Sequence, residues 1–399
     1  MSRQYQYIKL DNYYFCLQQN LLVLAWILFL KRDDLITIQP WLKKKNMPRW
    51  RMICSRYYWN ILKQNLITLR VFAQCRLKLQ KLDAVYLPVY GQFGMLVHKG
   101  YKVFNLRTRL VTKIFDPDVN ELSIINEIEQ LKKVSQINFA PSLRKWDING
   151  RWYQEDYIRS NIASAHRSSD SGIFLKAFHK EALPCMHSLM LFQRPVTKDL
   201  AVYLKELIGI IENGKLLKKN LDSKEANIFR EFVHSIIERL NAEVNHKVLL
   251  VFSHGDFCPA NFLNTKEGLR IVDWESTKYR SLLFDFYSYF FYRPVSPKLP
   301  VDKMFSEINE ALPILVSRLS SRTPDVTGNL LALVMIYRHL YYIERLCMLV
   351  ERDLTDNRLN MTDYIMRYIE AYKGYENIIN MAAITFNNKS SSGSKTSQS

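Results

Sequence analysis

Asp256, Asn261 and Asp273 are the side chains whose types and spacing most directly suggest chemistry. Asp256 and Asn261 stand five apart in one polar loop, Ser-His-Gly-Asp-Phe-Cys-Pro-Ala-Asn from 253 to 261, and Asp273 closes the apolar run that follows. Phosphoryl transfer needs such a set: one carboxylate to take a hydroxyl proton, plus an amide and a second carboxylate to hold magnesium against phosphates. Hard oxygen donors suit Mg²⁺, which keeps part of its water shell and takes one or two protein ligands beside the phosphates. Asp, Asn and Gly are also ordinary turn residues, so a polar loop between strands is the plainer alternative. Three groups at the offsets that base and metal require favour the catalytic reading.

The elements around these residues are strands. Val248 to Phe252 is an apolar β-type run that enters the loop, and Phe262 to Leu263 leaves it. After a Lys-Glu-Gly turn, Leu269 to Val272 is a second short strand ending on Asp273.

This segment resembles the aminoglycoside phosphotransferase and choline kinase superfamily. Its members carry a His-Gly-Asp-x-x-x-x-Asn loop, then a hydrophobic strand and Asp-Trp or Asp-Phe, matched here by His254, Gly255, Asp256, Asn261, Asp273 and Trp274. The resemblance implies an α+β, bilobal protein-kinase-like fold, with a small antiparallel sheet lobe and a larger, mainly helical lobe. It also implies Asp256 as catalytic base, Asn261 and Asp273 as metal ligands, and Asp285 as a later structural carboxylate. The donor would be ATP or GTP, the ion Mg²⁺ and the acceptor a small-molecule hydroxyl.

Upstream, from Ala84, the sequence reads as strands broken by Gly91, Gly94, Gly100 and an Arg-Thr-Arg turn. Lys113 lies in the run Val-Thr-Lys-Ile-Phe, where a kinase-like small lobe keeps the lysine that meets nucleotide phosphates and a glutamate. The helix predicted over 119–135 offers Glu121, Glu127 and Glu129; mid-helix Glu127 is the expected partner, against three solvated glutamates as the alternative. Gly91 and Gly94 make no full phosphate-cradling motif. Arg151 to Ile158 would close the small lobe and lead into a hinge, so Asp156 and Ile158 are candidates to border the base of the nucleotide. Adenine and guanine stay equally open there.

Of the 399 residues, 48% are hydrophobic and the net charge is +18. Fifteen Lys or Arg stand against four Asp or Glu in the first 90 residues, which concentrates the excess there. Such asymmetry suits an anionic membrane surface, nucleic acid or a phosphorylated substrate, and equally a solvated basic segment. Without zinc-finger spacing or an aromatic-glycine RNA-binding signature, nucleic acid is disfavoured. The six cysteines form no CxxC pair and read as free thiols in a reducing compartment.

Asn20 to Leu30 is a dense apolar run too short to span a bilayer, and is predicted as a buried or interface-lying helix. Between Pro40 and Arg56, basic residues interleave with Trp41 and Trp50, as in a headgroup-facing segment or a solvated helix. Met47 precedes a plausible alternative start, which would make the first 46 residues an extension without a fold of its own.

The expected organisation is a basic, aromatic-rich extension over 1–83, a nucleotide-binding β lobe over 84–158, a helical catalytic lobe over 159–387 and a disordered tail over 388–399. The expected protein is a cytoplasmic kinase, soluble or peripheral at the inner face of a membrane. A sugar or glycan precursor is the first-choice acceptor, with choline, another amino alcohol or an aminoglycoside as rivals. A non-catalytic kinase-like scaffold is the reading from another class.

Overall fold

The computed structural model describes residues 4–10, 13–30, 56–79, 82–159, 164–214, 223–295, 299–322, 330–355 and 361–392. The chain divides into two units, Met1–Ala163 with Phe262–Glu275, and Ser164–Asn261 with Ser276–Ser399. The first is mainly sheet and the second mainly helix, the α+β composition expected from the sequence.

In the sheet unit, β1 (Tyr5–Leu10), β2 (Tyr13–Cys16), β3 (Ala84–Leu87), β4 (Phe93–Val97), β5 (Gly100–Asn105), β6 (Leu110–Phe115), β7 (Leu143–Asp147) and β8 (Trp152–Asp156) form one antiparallel sheet. Its order is β3-β1-β2-β4-β5-β6-β8-β7. The first strands therefore lie inside the sheet, and residues 5–10 and 13–16 do not belong to an extension outside the fold. Aromatic and β-branched side chains explain this: Tyr7, Ile8, Tyr13, Tyr14 and Phe15 are buried, as such residues favour on a pleated, half-covered surface. The Tyr7 hydroxyl donates to the Val89 carbonyl at 2.9 Å and accepts from the Gly91 amide at 2.8 Å, which ties the amino-terminal strand to the loop before β4.

Helices α1 (Leu21–Leu30) and α2 (Arg56–Arg76) pack on this sheet. Leu24, Ile27 and Leu28 of α1 join Phe72 and Cys75 of α2 in a core with Ile8, Phe15 and Phe93, while Leu22 and Trp26 stay exposed. The helix predicted from Asn20 is thus half buried. The basic-aromatic segment from Pro40 lies outside the described residues up to Arg56. Among the described residues, no helix is long and apolar enough to cross a membrane. Helix α3 (Glu121–Val134) follows β6, capped by the Asn120 side chain, which accepts from the Leu122 amide.

The helical unit opens with α4 (Ser171–Ala177), α5 (Leu183–Met190), β9 (Val196–Asp199), α6 (Leu200–Glu212), α7 (Lys224–Asn241) and β10 (Lys247–Ser253). Residues 196–199 pair with β10 as a strand, Val196 facing Leu250. The chain then returns to the sheet unit for a hairpin of β11 (Phe262–Thr265) and β12 (Gly268–Ile271). It completes the helical unit with β13 (Lys278–Ser281), α8 (Phe284–Val295), α9 (Val301–Arg322), α10 (Leu330–Thr355) and α11 (Thr362–Ser392). Helix α11 runs beyond residue 388, so the disorder predicted from there does not begin at that point. The aromatic residues of α8 pack among Tyr341, Tyr342, Tyr372 and Tyr375 as core.

Candidate active site

In the sheet unit the functional groups lie on one face of adjacent strands. Lys102 on β5 stands directly opposite Lys113 on β6, and Lys113 opposite Tyr153 on β8. Like charges facing each other across a ladder are destabilising, so each ammonium needs an acid. Lys113 Nζ lies 2.7 Å from Glu127 Oε1 and 2.5 Å from Glu275 Oε2, and Lys102 Nζ lies 2.8 Å from Asp273 Oδ1. The Tyr153 hydroxyl donates to Glu127 at 3.2 Å. The structure brings Lys113 and Glu127 together as the sequence predicts. Glu129 is exposed and pairs with Lys132, and Glu121 is exposed.

Electrostatics follow from burial. Lys113 is fully buried, which opposes its charge, but Glu127 and Glu275 hold its ammonium above the ordinary lysine value. Lys102 behaves likewise, burial being outweighed by Asp273, Glu155 and Glu275. Burial pushes the Glu155 carboxyl up to about 7, although Lys102 and Lys113 pull against it. Asp273 has a φ of 71°, a left-handed conformation that side chains rarely adopt and that is kept where the surroundings over-determine it. It stands between β12 and a short turn from Trp274, which packs on Phe139.

In the helical unit, the loop after β10 is held through its backbone. Asp285, in the first turn of α8, accepts from the Ser253 hydroxyl at 2.8 Å, the His254 amide at 2.8 Å and the Gly255 amide at 3.1 Å. This carboxylate is buried, and burial raises it above its ordinary value against the pull of His254 and these donors. Gly255 adopts a φ of +83°, and a Cβ there would sit 2.3 Å from the Ser276 carbonyl oxygen and 2.6 Å from Arg280 Nη1. Only glycine meets both demands.

The loop presents Asp256, 16% exposed, with its amide donating to His254 Nδ1 at 3.1 Å. Asn261 Nδ2 donates to the Asp256 carbonyl at 2.9 Å and to Oδ2 at 3.3 Å, which leaves the amide oxygen as the branch not used in holding the loop among the described residues. Arg167 braces the loop from outside, donating to the carbonyls of Pro259 at 2.9 Å and Ala260 at 2.6 Å. Arg345 Nη1 reaches Asp256 Oδ1 at 3.1 Å. Cys258 is buried, and burial pushes its thiol up, away from nucleophilic use.

Asp273 and Asn261 each offer a hard oxygen of the kind magnesium takes, and Asp273 is paired with Lys102. Among the described residues, no three His, Cys, Asp or Glu side chains form a metal-sized group. Asp156 is held by Arg144 through contacts of 2.6 and 2.9 Å, committing its carboxylate to the sheet edge, and the Ile158 side chain is buried. Three residues escaped sequence reasoning. Glu275, two positions after Asp273, was the most readable, whereas no local motif marks Lys102 or Arg345.

Comparison with known proteins sets this geometry in context. A family model described as choline/ethanolamine kinase matches residues 93–304, just over half of the chain. The choline kinase LicA from Streptococcus pneumoniae aligns at 16% identity and a TM-score of 0.44, over 72% of this chain and 92% of its own. The choline kinase from Cryptosporidium parvum aligns at 14% and 0.47, over 74% and 89%. A glucosamine kinase in complex with glucosamine, ADP and inorganic phosphate aligns at 11% and 0.45, over 74% and 81%. No curated protein matches at a significant level.

Proposed function

Because the chain belongs to the choline/ethanolamine kinase family, and is thereby an ATP-dependent small-molecule kinase, we propose that it phosphorylates an alcohol hydroxyl with Asp256 as the general base. Asp256 orients the acceptor hydroxyl and takes its proton. Asn261 and Asp273 would hold Mg²⁺, which when bound neutralises phosphate charge. Lys113, positioned by Glu127, meets the α and β phosphates, and Lys102 pairs with Asp273. Residues 156–158 border the base of ATP or GTP. Catalysis of this kind is positioning plus charge neutralisation.

One observation carries the reading: Lys113 is wholly buried yet charged, with two carboxylates for one ammonium. A fold gains little from such a buried trio over apolar packing, so its retention favours a charged ligand. The acceptor proposed first is a sugar or glycan precursor, with amino alcohols second. A cytoplasmic site of action accompanies the use of ATP, and the basic amino-terminal segment is the candidate contact for an anionic membrane surface.

The test follows γ-labelled ATP with Mg²⁺ and a panel of hydroxyl acceptors. Label should appear in an acceptor with the wild-type protein and not with Asp256→Asn. A protein whose thermal unfolding ignores Mg·ATP would instead be a scaffold, and the proposal would fail.

A further inference from the structure

Resting on that phosphotransferase reading, the groups around Asp256 bear on the charge of the acceptor. Arg345, on α10, has a side chain only 3% exposed. Its Nη1 approaches Asp256 Oδ1 at 3.1 Å and the Gly255 carbonyl at 3.3 Å, and its Nη2 donates to the Tyr368 hydroxyl at 2.7 Å. The guanidinium carbon lies 4.8 Å from the centre of the Tyr368 ring, within cation–π range. Burial opposes the charge, but Tyr368, Asp256 and Tyr341 hold it protonated. Arginine does not lose its proton in proteins, so this cation is permanent.

Two attractions would draw a cationic alcohol to this loop: the negative charge of Asp256 and the face of a neighbouring tyrosine. Arg345 uses both. A second buried guanidinium, Arg280, lies beneath Gly255 and over the Phe284 ring at 4.7 Å. Its Nε and Nη1 are buried without hydrogen-bond partners among the described residues. The acceptor hydroxyl must come within roughly 3 Å of Asp256. In ethanolamine or choline the nitrogen is two carbons from that oxygen, so it would enter a region where the carboxylate is already compensated. An anionic acceptor would meet the carboxylate itself.

We propose that Arg345 is a specificity residue that makes the acceptor site select an uncharged, sugar-like hydroxyl compound rather than an amino or quaternary ammonium alcohol. In the transfer, the acceptor oxygen forms a bond to the γ-phosphorus as its proton passes to Asp256. The bond from that phosphorus to the β,γ-bridging oxygen breaks, its electron pair leaving on ADP.

The experiment compares matched pairs differing in charge: choline with 3,3-dimethylbutan-1-ol, ethanolamine with ethane-1,2-diol, and glucosamine with glucose. Each is tested as a substrate at equal concentration with Mg·ATP, with acceptor-independent ATP hydrolysis measured alongside. The expected result is no preference for the charged member of any pair. Turnover of the uncharged members alone also supports the proposal.

A preference of about tenfold or more for choline or ethanolamine over its uncharged partner overturns it. Absence of both ATP binding and hydrolysis would instead remove the phosphotransferase reading, and the proposal with it. In Arg345→Gln, the ratio of choline to dimethylbutanol affinity should rise by about tenfold, because Asp256 and Tyr368 are released to a cation. If that variant fails to fold, the wild-type ratios decide alone.

Discussion

The charged cluster of the sheet unit and the loop of the helical unit are held by different means. On the sheet, side chain meets side chain: Lys102 with Asp273, and Lys113 with Glu127 and Glu275. In the helical unit, the backbone amides of His254 and Gly255 are fixed on Asp285, and the carbonyls of Pro259 and Ala260 on Arg167. Ion pairs can exchange one charged partner for another, such as a phosphate or a metal ion, without leaving a charge uncompensated. A loop bound through several backbone groups moves only by losing them together. On the proposed reading, the difference assigns adaptability to the side that would take the nucleotide, and a preformed geometry to the side that would carry the base.

The largest effect that would sharpen this contrast is expected from Asp256→Asn. Its turnover should fall by about a thousandfold, since proton acceptance is removed from an otherwise intact loop. The Mg·ATP thermal shift should persist; its loss would mean that the loop and the nucleotide side are not separable.

Next is Lys113→Met, which leaves Glu127 and Glu275 buried without their cation. A loss of about 3–5 kcal/mol in urea unfolding is expected, with part restored by adding Glu127→Gln. A neutral outcome would break the claim that the sheet cluster is bound by its ion pairs.

Asp285→Asn turns one of the two accepting oxygens into a donor, set either against the His254 amide or against the Gly255 amide and the Ser253 hydroxyl. Roughly 2–3 kcal/mol should be lost, and in the folded fraction turnover should fall while KM for ATP stays unchanged. An unchanged rate would show that the loop needs no such anchor.

The smallest effect concerns pH. Glu155 has a carboxyl raised from 4.5 to about 7, so the folded state binds more protons than the unfolded one between these values. Its contribution to stability is full below the lower value and is lost as pH rises through the upper one. Glu155→Gln should flatten that decline, worth about 3 kcal/mol at most, as read from unfolding at about pH 5 and about pH 8. An identical pH profile in the variant would place Glu155 outside the coupled cluster.

Local signals in the sequence reached the loop of Asp256 and Asn261, the hairpin ending at Asp273, and Lys113 with Glu127. The strands and turns follow from short runs that are self-contained, and the resemblance to the kinase family supplied the pairing of Lys113 with Glu127. Strands β1 and β2 were not legible, because their partners are β3 and β4, dozens of residues further along, and their basic, tyrosine-rich surroundings suggested a surface segment. The strand at Val196 likewise exists through pairing with β10. Lys102 and Arg345 were illegible for a related reason. A lysine in a strand or an arginine in a helix shows its role only once a distant carboxylate is brought beside it.

The return of the chain to the sheet unit at Phe262 has a consequence for biosynthesis. Asp273 and Lys102 are 171 residues apart in sequence, and Glu275 and Lys113 162. As the chain leaves the ribosome, Lys102 must wait for Asp273, and Lys113, which already has Glu127, must wait for Glu275, until α4 to α7 and β10 have been made. A fragment ending at residue 163 would carry the eight-stranded sheet yet lack Asp273 and Glu275, so the sheet unit matures late although most of it is translated first.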